Sequence, residues 1–199
     1  MEQQDFLAAV TPSQGKYCTF VKVRTPDNKD GYPKNIFHDS LDDFVETNFK
    51  QSLHFRNETF FAMSSFDDTG FRTQTHTIKA KSVYMDLDCG IDPKTGAQKA
   101  FPSKREAVQA LMQFMQAIGL DTLGTPWLLD SGGGVHCHLA LDNEITTDEW
   151  NVLANKLKDA ANKHGFTLDK NVTGDSARVM RFPGTLNHKY DPPRTVAIK

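Results

Sequence analysis

The chain has little cysteine, and what it has is scattered. Cys18, Cys89 and Cys137 are odd in number and form no C-x-x-C pair, so neither a disulfide framework nor a structural zinc is signalled. A reducing cytoplasm is the expected setting. No apolar run approaches the length of a membrane span, and Met1-Glu2-Gln3-Gln4-Asp5 lacks the basic and apolar regions of a secretory signal. A soluble protein with no membrane partner is expected. Nor is there an excess of either charge. The 23 Lys and Arg stand against 25 Asp and Glu, a formal net charge of −2, with a pI of about 6.4. This excludes a protein whose whole surface grips nucleic acid. No repeat or low-complexity segment is present.

What the chain does have is enough material for one core: 199 residues, 38% hydrophobic, or one domain with a smaller appended module. Its charge is unevenly placed. Lys170, Arg178, Arg181, Lys189, Arg194 and Lys199 face only Asp175 and Asp191 over the last thirty positions, so the C-terminal part offers a positive surface to something anionic.

The sequence divides near residue 80. Residues 1–80 read as an N-terminal α/β module: a strand from Tyr17 to Arg24, a Pro/Asp/Asn/Gly loop from Thr25 to Pro33, a helix from Leu41 to Lys50 capped by Ser40 or Asp39, and a buried aromatic strand, Thr59 to Met63. Residues 81–199 read as the core. A strand through Asp88 is followed by a helix opened by the capping box Ser103-Lys104-Arg105-Glu106, with Val108, Leu111, Met112, Met115 and Ile118 on one face. Trp127–Leu129 and Val135–Leu141 are strands joined by Asp130-Ser131-Gly132-Gly133-Gly134. Thr146 and Glu149 open a second helix through Trp150, Leu153, Leu157 and Ala161, and Phe166–Val172 is a fourth strand. The order β-α-β-β-α-β is that of an α+β, ferredoxin-like or RRM-like sheet with helices on one face. Such a fold hosts many functions and decides none.

Three segments carry chemistry. In Val83-Tyr84-Met85-Asp86-Leu87-Asp88 the apolar residues alternate with Tyr84, Asp86 and Asp88, so one face is core and the other holds two carboxylates about 6 to 7 Å apart along the strand. Aspartates sit poorly in strands and repel one another there. A local conflict of this kind marks function when a cation resolves it. Taken alone, the pair is as readily a solvated strand face.

In Ser131-Gly132-Gly133-Gly134-Val135-His136-Cys137-His138, the two imidazoles leave the strand on one side. The glycines permit close backbone approach and an anion nest, to which Ser131 and His136 add donors. Taken alone, the segment is a flexible hairpin with surface histidines. The third segment runs from Asp169 through Asp175, Arg178, Arg181 and Pro183-Gly184 to Asn187, His188 and Lys189. Its strand would neighbour the first, bringing Asp169 to Asp86 and Asp88, and the Pro-Gly turn would carry Asn187, His188 and Lys189 back. Three acids holding divalent ions, with cations for a triphosphate, form an inventory for nucleotidyl transfer.

In their order and spacing, Met85-Asp86-Leu87-Asp88, Ser131 to His136, and Leu168-Asp169 resemble the three motifs of the archaeo-eukaryotic primase superfamily, over roughly residues 82 to 192. The stretch from Asp169 to Lys189 is similar to that of the small catalytic subunit of archaeal primase. Gly132, Gly133 and Gly134 stand where cellular replicative primases place basic residues, and the cysteines cannot make the zinc site of many relatives. The resemblance therefore points to the phage or plasmid primase-polymerase branch, in the cytoplasm of a bacterial or phage-infected cell. It implies a template-dependent nucleotidyltransferase, a DNA primase and/or DNA polymerase. Asp86, Asp88 and Asp169 would be catalytic and hold two Mg²⁺ or Mn²⁺ ions. Ser131, Gly132, Gly133, Gly134, His136, Arg178, Arg181 and Lys189 would bind the nucleotide, and His138, Asp175, Asn187 and His188 would be auxiliary. Implied partners are a single-stranded DNA template, a primer, dNTPs or NTPs, and a C-terminal helical or helicase region of a longer protein.

Two other readings compete. His136-Cys137-His138 is also the His-hydrophobe-His triplet of rolling-circle nicking endonucleases. Those need a nucleophilic tyrosine, often with a lysine one turn on, and none of Tyr17, Tyr32, Tyr84 or Tyr190 has one. A non-catalytic RRM-like binding module would present strand aromatics to bases, whereas this strand presents Asp86 and Asp88.

Overall fold

In a computed structural model, which describes residues 2–199 apart from Lys29, Phe55 and Leu123, the chain begins with α1 (Glu2–Val10) and β1 (Tyr17–Val23). Lys29, in the predicted loop, lies outside the described residues. Then follow β2 (Tyr32–His38), α2 (Leu41–Ser52), β3 (Glu58–Ala62), β4 (Ser64–Phe66) and β5 (Thr77–Asp88). The second half runs α3 (Lys104–Ala117), β6 (Trp127–Asp130), β7 (Gly134–Thr146), α4 (Thr147–Lys163), α5 (Lys170–Thr173), β8 (Val179–Arg181), β9 (Leu186–Asn187), β10 (Arg194–Thr195) and β11 (Ala197–Ile198). No described helix is long and apolar enough to cross a membrane.

The helix starts follow from local hydrogen bonding. Ser40 accepts from the Asp43 amide and Ser103 from the Glu106 amide, while Thr146 and Glu149 make a full reciprocal capping box; each cap is worth about 1 kcal/mol. Glu106 departs from the predicted box, for its carboxylate accepts from the Ser103 hydroxyl at 2.7 Å. The buried face of α3 is Ala107, Leu111, Phe114 and Met115, with Met112 exposed. Leu153 of α4 is likewise turned outward, and Ala154 is buried in its place.

Two antiparallel sheets frame the molecule. One has the order β11-β6-β7-β5-β4 and the other β2-β1-β3-β8. The α+β class and the β-α-β-β-α arrangement of β5 to α4 hold, but Phe166–Val172 is not a strand. Residues 166–169 are irregular and lead into α5. The reason is local. Asp169 Oδ1 accepts from the amides of Asn171 and Val172 at 2.9 and 3.2 Å, capping a helical turn where a strand would need those amides for a ladder. The sheet edge is meanwhile taken by β4, which pairs with Thr77 to Ala80. Asp169 still reaches β5, donating its amide to the Asp86 carbonyl at 3.3 Å.

The first sheet buries both faces. Toward α3 and α4, Val83 and Leu139 share space with Met115 and Leu157. On the other face, Phe6 of α1 and Phe61 of β3 pack against His138, with ring centroids 5.2 and 6.1 Å away. Phe61 also meets Phe6 and Phe182 edge-on at 6.0 and 6.2 Å, contacts worth about 0.5 to 1.5 kcal/mol each beyond their burial. This aromatic layer holds the second sheet over one end of the first.

Candidate active site

β5 and β7 pair so that Asp86 lies opposite His136, Tyr84 opposite His138 and Asp88 opposite Gly134. Directly opposed residues share a face, so Asp86, His136 and His138 all look toward the second sheet. At the His138 end that space is filled by aromatics. At the aspartate end it opens into a cleft of about 200 Å³, lined by Asp86, Asp88, Ser131, Gly133 and His136 on one side. Phe60, Val179, Met180 and Arg181 line it from the second sheet, and Lys99, Arg178, Asn187, Lys189 and Tyr190 complete it.

The cleft's charges are crowded. Burial, followed by the charges of Asp88 and Asp169, pushes the Asp86 carboxyl up to about 7, with Arg178 and Lys99 opposing. Its Oδ1 is 3.8 Å from His136 Nε2, too far for a hydrogen bond. His136 is itself driven well below its ordinary value by burial, then by His138, Arg181 and Arg178. Asp88 is half exposed, but Lys99 Nζ sits 2.7 Å from its Oδ1 and 3.3 Å from the Gly133 carbonyl. The carboxylates are hard oxygen donors that repel one another, a set that attracts a hard divalent cation. Among the described residues no group of three or more His, Cys, Asp or Glu side chains forms a ready cage. Magnesium rarely needs one, since it is commonly bound by one or two carboxylates completed by substrate phosphates and water.

The cations are held from behind. Arg181 pairs with Phe60 across β8 and β3, stacks over its ring at 4.9 Å, and meets Glu58 Oε1 at 2.9 Å. Lys189 Nζ is 2.7 Å from Asp92. Asn187 Nδ2 donates to the Ser131 carbonyl at 2.7 Å, and its Oδ1 accepts from the Lys189 amide at 3.0 Å. It ties the glycine loop to the basic segment.

Several sequence-predicted residues take other places. His138 is fully buried in the aromatic layer with neither ring nitrogen partnered. Asp175 accepts from Gln74 Nε2 and the Ala177 amide, and lies outside the cleft lining. His188 lines a separate, adjoining cavity. The glycines serve packing. A Cβ at Gly134 would come within 2.4 Å of the Leu87 carbonyl, and one at Gly133 within 2.3 Å of the Tyr190 hydroxyl. The Ser131 and Gly132 amides donate to the Gly134 carbonyl and to Asp130 Oδ1, so they are not free for a nest. Sequence reasoning missed Lys99, Phe60, Tyr190 and Glu58. For Glu58 a signal existed: a carboxylate opening a buried aromatic strand is a local conflict. Lys99 carries none, because a loop lysine looks like any other.

No family model matches the chain, and no curated protein matches it in sequence. Solved structures do match. The AEP primase-polymerase domain of cyanophage S-2L superposes with a TM-score of 0.59 at 14% identity, over 100% of this chain and 88% of that one. The polymerase domain of Mycobacterium tuberculosis ligase D, solved in complex with DNA, gives 0.51 at 15% identity, over 100% and 78%. At such identities the likeness is one of fold: the chain has an AEP-like primase-polymerase fold.

Proposed function

We propose that the chain is a template-dependent nucleotidyltransferase, a DNA primase and/or DNA polymerase that adds dNTPs or NTPs to a primer or initiating nucleotide on single-stranded DNA. The observation that carries this reading is the convergence in one cleft of Asp86 and Asp88 with His136, Arg178, Arg181 and Lys189. The fold, and a neighbour solved with DNA, support it.

Asp86, Asp88 and Asp169 would hold Mg²⁺ or Mn²⁺. Divalent ions there would supply Lewis-acid stabilisation of phosphoryl oxygens and lower the pKa of the attacking hydroxyl. The protein's own groups do the rest. Arg178, Arg181 and Lys189 neutralise and orient the triphosphate, guanidinium forks matching phosphate oxygens two at a time. His136, kept neutral by burial, offers a hydrogen bond without repelling the arginines beside it. Fixing these donors before the substrate arrives is what gives them value, since they need not reorganise as charge moves. Ser131 would add its hydroxyl. The nicking alternative loses ground on a specific placement: His138 packs against Phe6 and Phe61 and does not line the cleft that His136 lines.

The test is incubation with a primed or unprimed single-stranded template, labelled nucleotides and Mg²⁺ or Mn²⁺. Template-directed, cation-dependent extension is expected. Strand cleavage with a DNA-tyrosine adduct, or binding without incorporation, would replace this reading with one of its competitors.

A further inference from the structure

Arg178, Arg181 and Lys189 all reach the cleft from the segment after α5, and two of them are gripped at the head. Glu58 and the Phe60 ring hold Arg181, and Asp92 holds Lys189. Arg178 differs. Among the described residues no carboxylate lies within ion-pair distance of its guanidinium, so its place in the cleft is set through its backbone.

That backbone is tied from outside the cleft. The Arg178 amide donates to the Asp175 carbonyl at 3.0 Å, and its carbonyl accepts from the Met63 amide at 3.1 Å, which closes residues 175–178 into a turn against the junction of β3 and β4. Gln74 Nε2 donates to Asp175 Oδ1 at 2.9 Å, the Thr77 and Ser176 hydroxyls are 3.1 Å apart, and the Tyr84 hydroxyl donates to the Asp175 carbonyl. Arg72 makes the tie nearest Arg178. Its Nη1 donates to the Ala177 carbonyl at 2.6 Å, its Nε donates to Asn35 Oδ1 at 3.0 Å, and its guanidinium lies over the Phe20 ring at 5.1 Å.

Arg72 thus joins β1 and β2 to the turn. It is carried by residues 67–76, which connect β4 to β5. The base of that connection is shut: the Asp67 amide donates to the His76 carbonyl at 3.0 Å, and the Asp67 carboxylate meets His76 Nδ1 at 2.9 Å. A planar guanidinium can lie on a ring while donating along two edges, whereas a compact ammonium cannot do both. Arg72 lines neither the cleft nor the cavity that adjoins it.

We propose that Arg72 is a positioning residue: by holding the Ala177 carbonyl against the second sheet, it fixes the direction in which Arg178 enters the cleft before an anionic ligand arrives. That the ligand is a triphosphate rests on the transferase reading; the tie itself does not. Without the tie, Arg178 has to be ordered on binding, and ordering one long side chain corresponds to about twofold to tenfold in affinity.

The experiment compares Arg72→Ala, Arg72→Lys, Arg178→Ala and the double variant Arg72→Ala/Arg178→Ala. A fluorescent nucleoside triphosphate is titrated with Mn²⁺ and followed by anisotropy, beside thermal unfolding and primer extension. Arg178→Ala should weaken binding by on the order of tenfold. Arg72→Ala should weaken it by about threefold to tenfold, and Arg72→Lys, which keeps one of the contacts, by less. In the Arg178→Ala background the Arg72 change should add nothing, because the side chain that it orders is gone. An arginine that served stability alone would weaken binding equally in both backgrounds, and that result, or unchanged binding by Arg72→Ala, would overturn the proposal. Should Arg72→Ala fail to fold, Arg72→Lys with and without Arg178→Ala gives the same comparison. Wild-type affinity in Arg178→Ala would overturn both the phosphate role of Arg178 and its positioning by Arg72. If the coupling appears but the wild type incorporates no nucleotide, the positioning role stands and the transferase reading falls.

Discussion

Asp86 and His136 face one another across β5 and β7, 3.8 Å apart, and burial works against the charged form of each. At that separation they make no hydrogen bond to one another. A divalent cation beside Asp86 would relieve the carboxylate crowding from Asp88 and Asp169 that helps to raise its pKa.

Asp86→Ala and Asp88→Ala should each reduce nucleotide transfer by about a thousandfold, the scale of several kcal/mol of lost transition-state stabilisation. Asp86→Ala should unfold at or above the wild-type temperature, because it removes a crowded, desolvated carboxylate. Asp169 needs a subtler change, since alanine would also remove the cap of α5. Asn caps as well as Asp, so Asp169→Asn should keep wild-type stability while losing transfer. Primer-extension rates and thermal unfolding check all three. An active Asp169→Asn would return attention to Asp175.

Lys99 occupies the position beside Asp88 where a cation would compete. Lys99→Met should therefore bind Mn²⁺ more tightly than wild type by a fewfold, seen by electron paramagnetic resonance of free Mn²⁺ without substrate. Unchanged or weaker binding would mean that Lys99 and the cation do not contend for the same oxygen.

The glycine loop predicts two different failures. Gly133→Ala meets the Tyr190 side chain, and Gly134→Ala meets the Leu87 backbone. Each should cost about 1 to 3 kcal/mol of stability by overpacking. Only the first should be relieved by shortening its neighbour. In denaturant melts, Tyr190→Ala added to Gly133→Ala should recover part of the loss, as a positive coupling in a double-mutant cycle. The same second change should do nothing for Gly134→Ala.

His138 makes stability depend on acid. Burial lowers its pKa to about 3, while the unfolded chain keeps a value of about 6.5. The unfolded chain takes up the proton first, so the contribution is fully present above about pH 6.5 and is lost as pH falls toward 3, by up to about 1.4 kcal/mol per unit. His138→Leu should flatten that part of the pH profile of the denaturant midpoint and leave nucleotide transfer within a fewfold of wild type. An unchanged profile would place the acid sensitivity elsewhere, with His136 or His38 as the next groups to vary. Both have pKa values lowered chiefly by burial.

Much of the site was legible because its signals are local. Strand alternation depends only on the residues themselves, and it put Asp86 with Asp88 on one face of their strand and His136 with His138 on one face of theirs before the pairing was known. The caps at Ser40, Ser103 and Thr146 were legible for the same reason, each being a hydrogen bond three residues long. Asp169 misled because its short side chain prefers to satisfy nearby amides, and it ended the strand that the apolar pattern suggested.

The amino-acid pattern by itself determined the starts of α2, α3 and α4, the faces of the central strands and the inventory of acids and cations. Only the tertiary structure decided which of two same-sided histidines meets the cleft: Phe6 and Phe61 cover His138 and leave His136 at the open end. It also decided that β8 pairs with β3, bringing Arg181 onto Glu58 across more than a hundred residues of sequence. No periodicity encodes such choices. They arise because aromatic packing selects among locally equivalent arrangements, and that selection exists only once the distant segments have met.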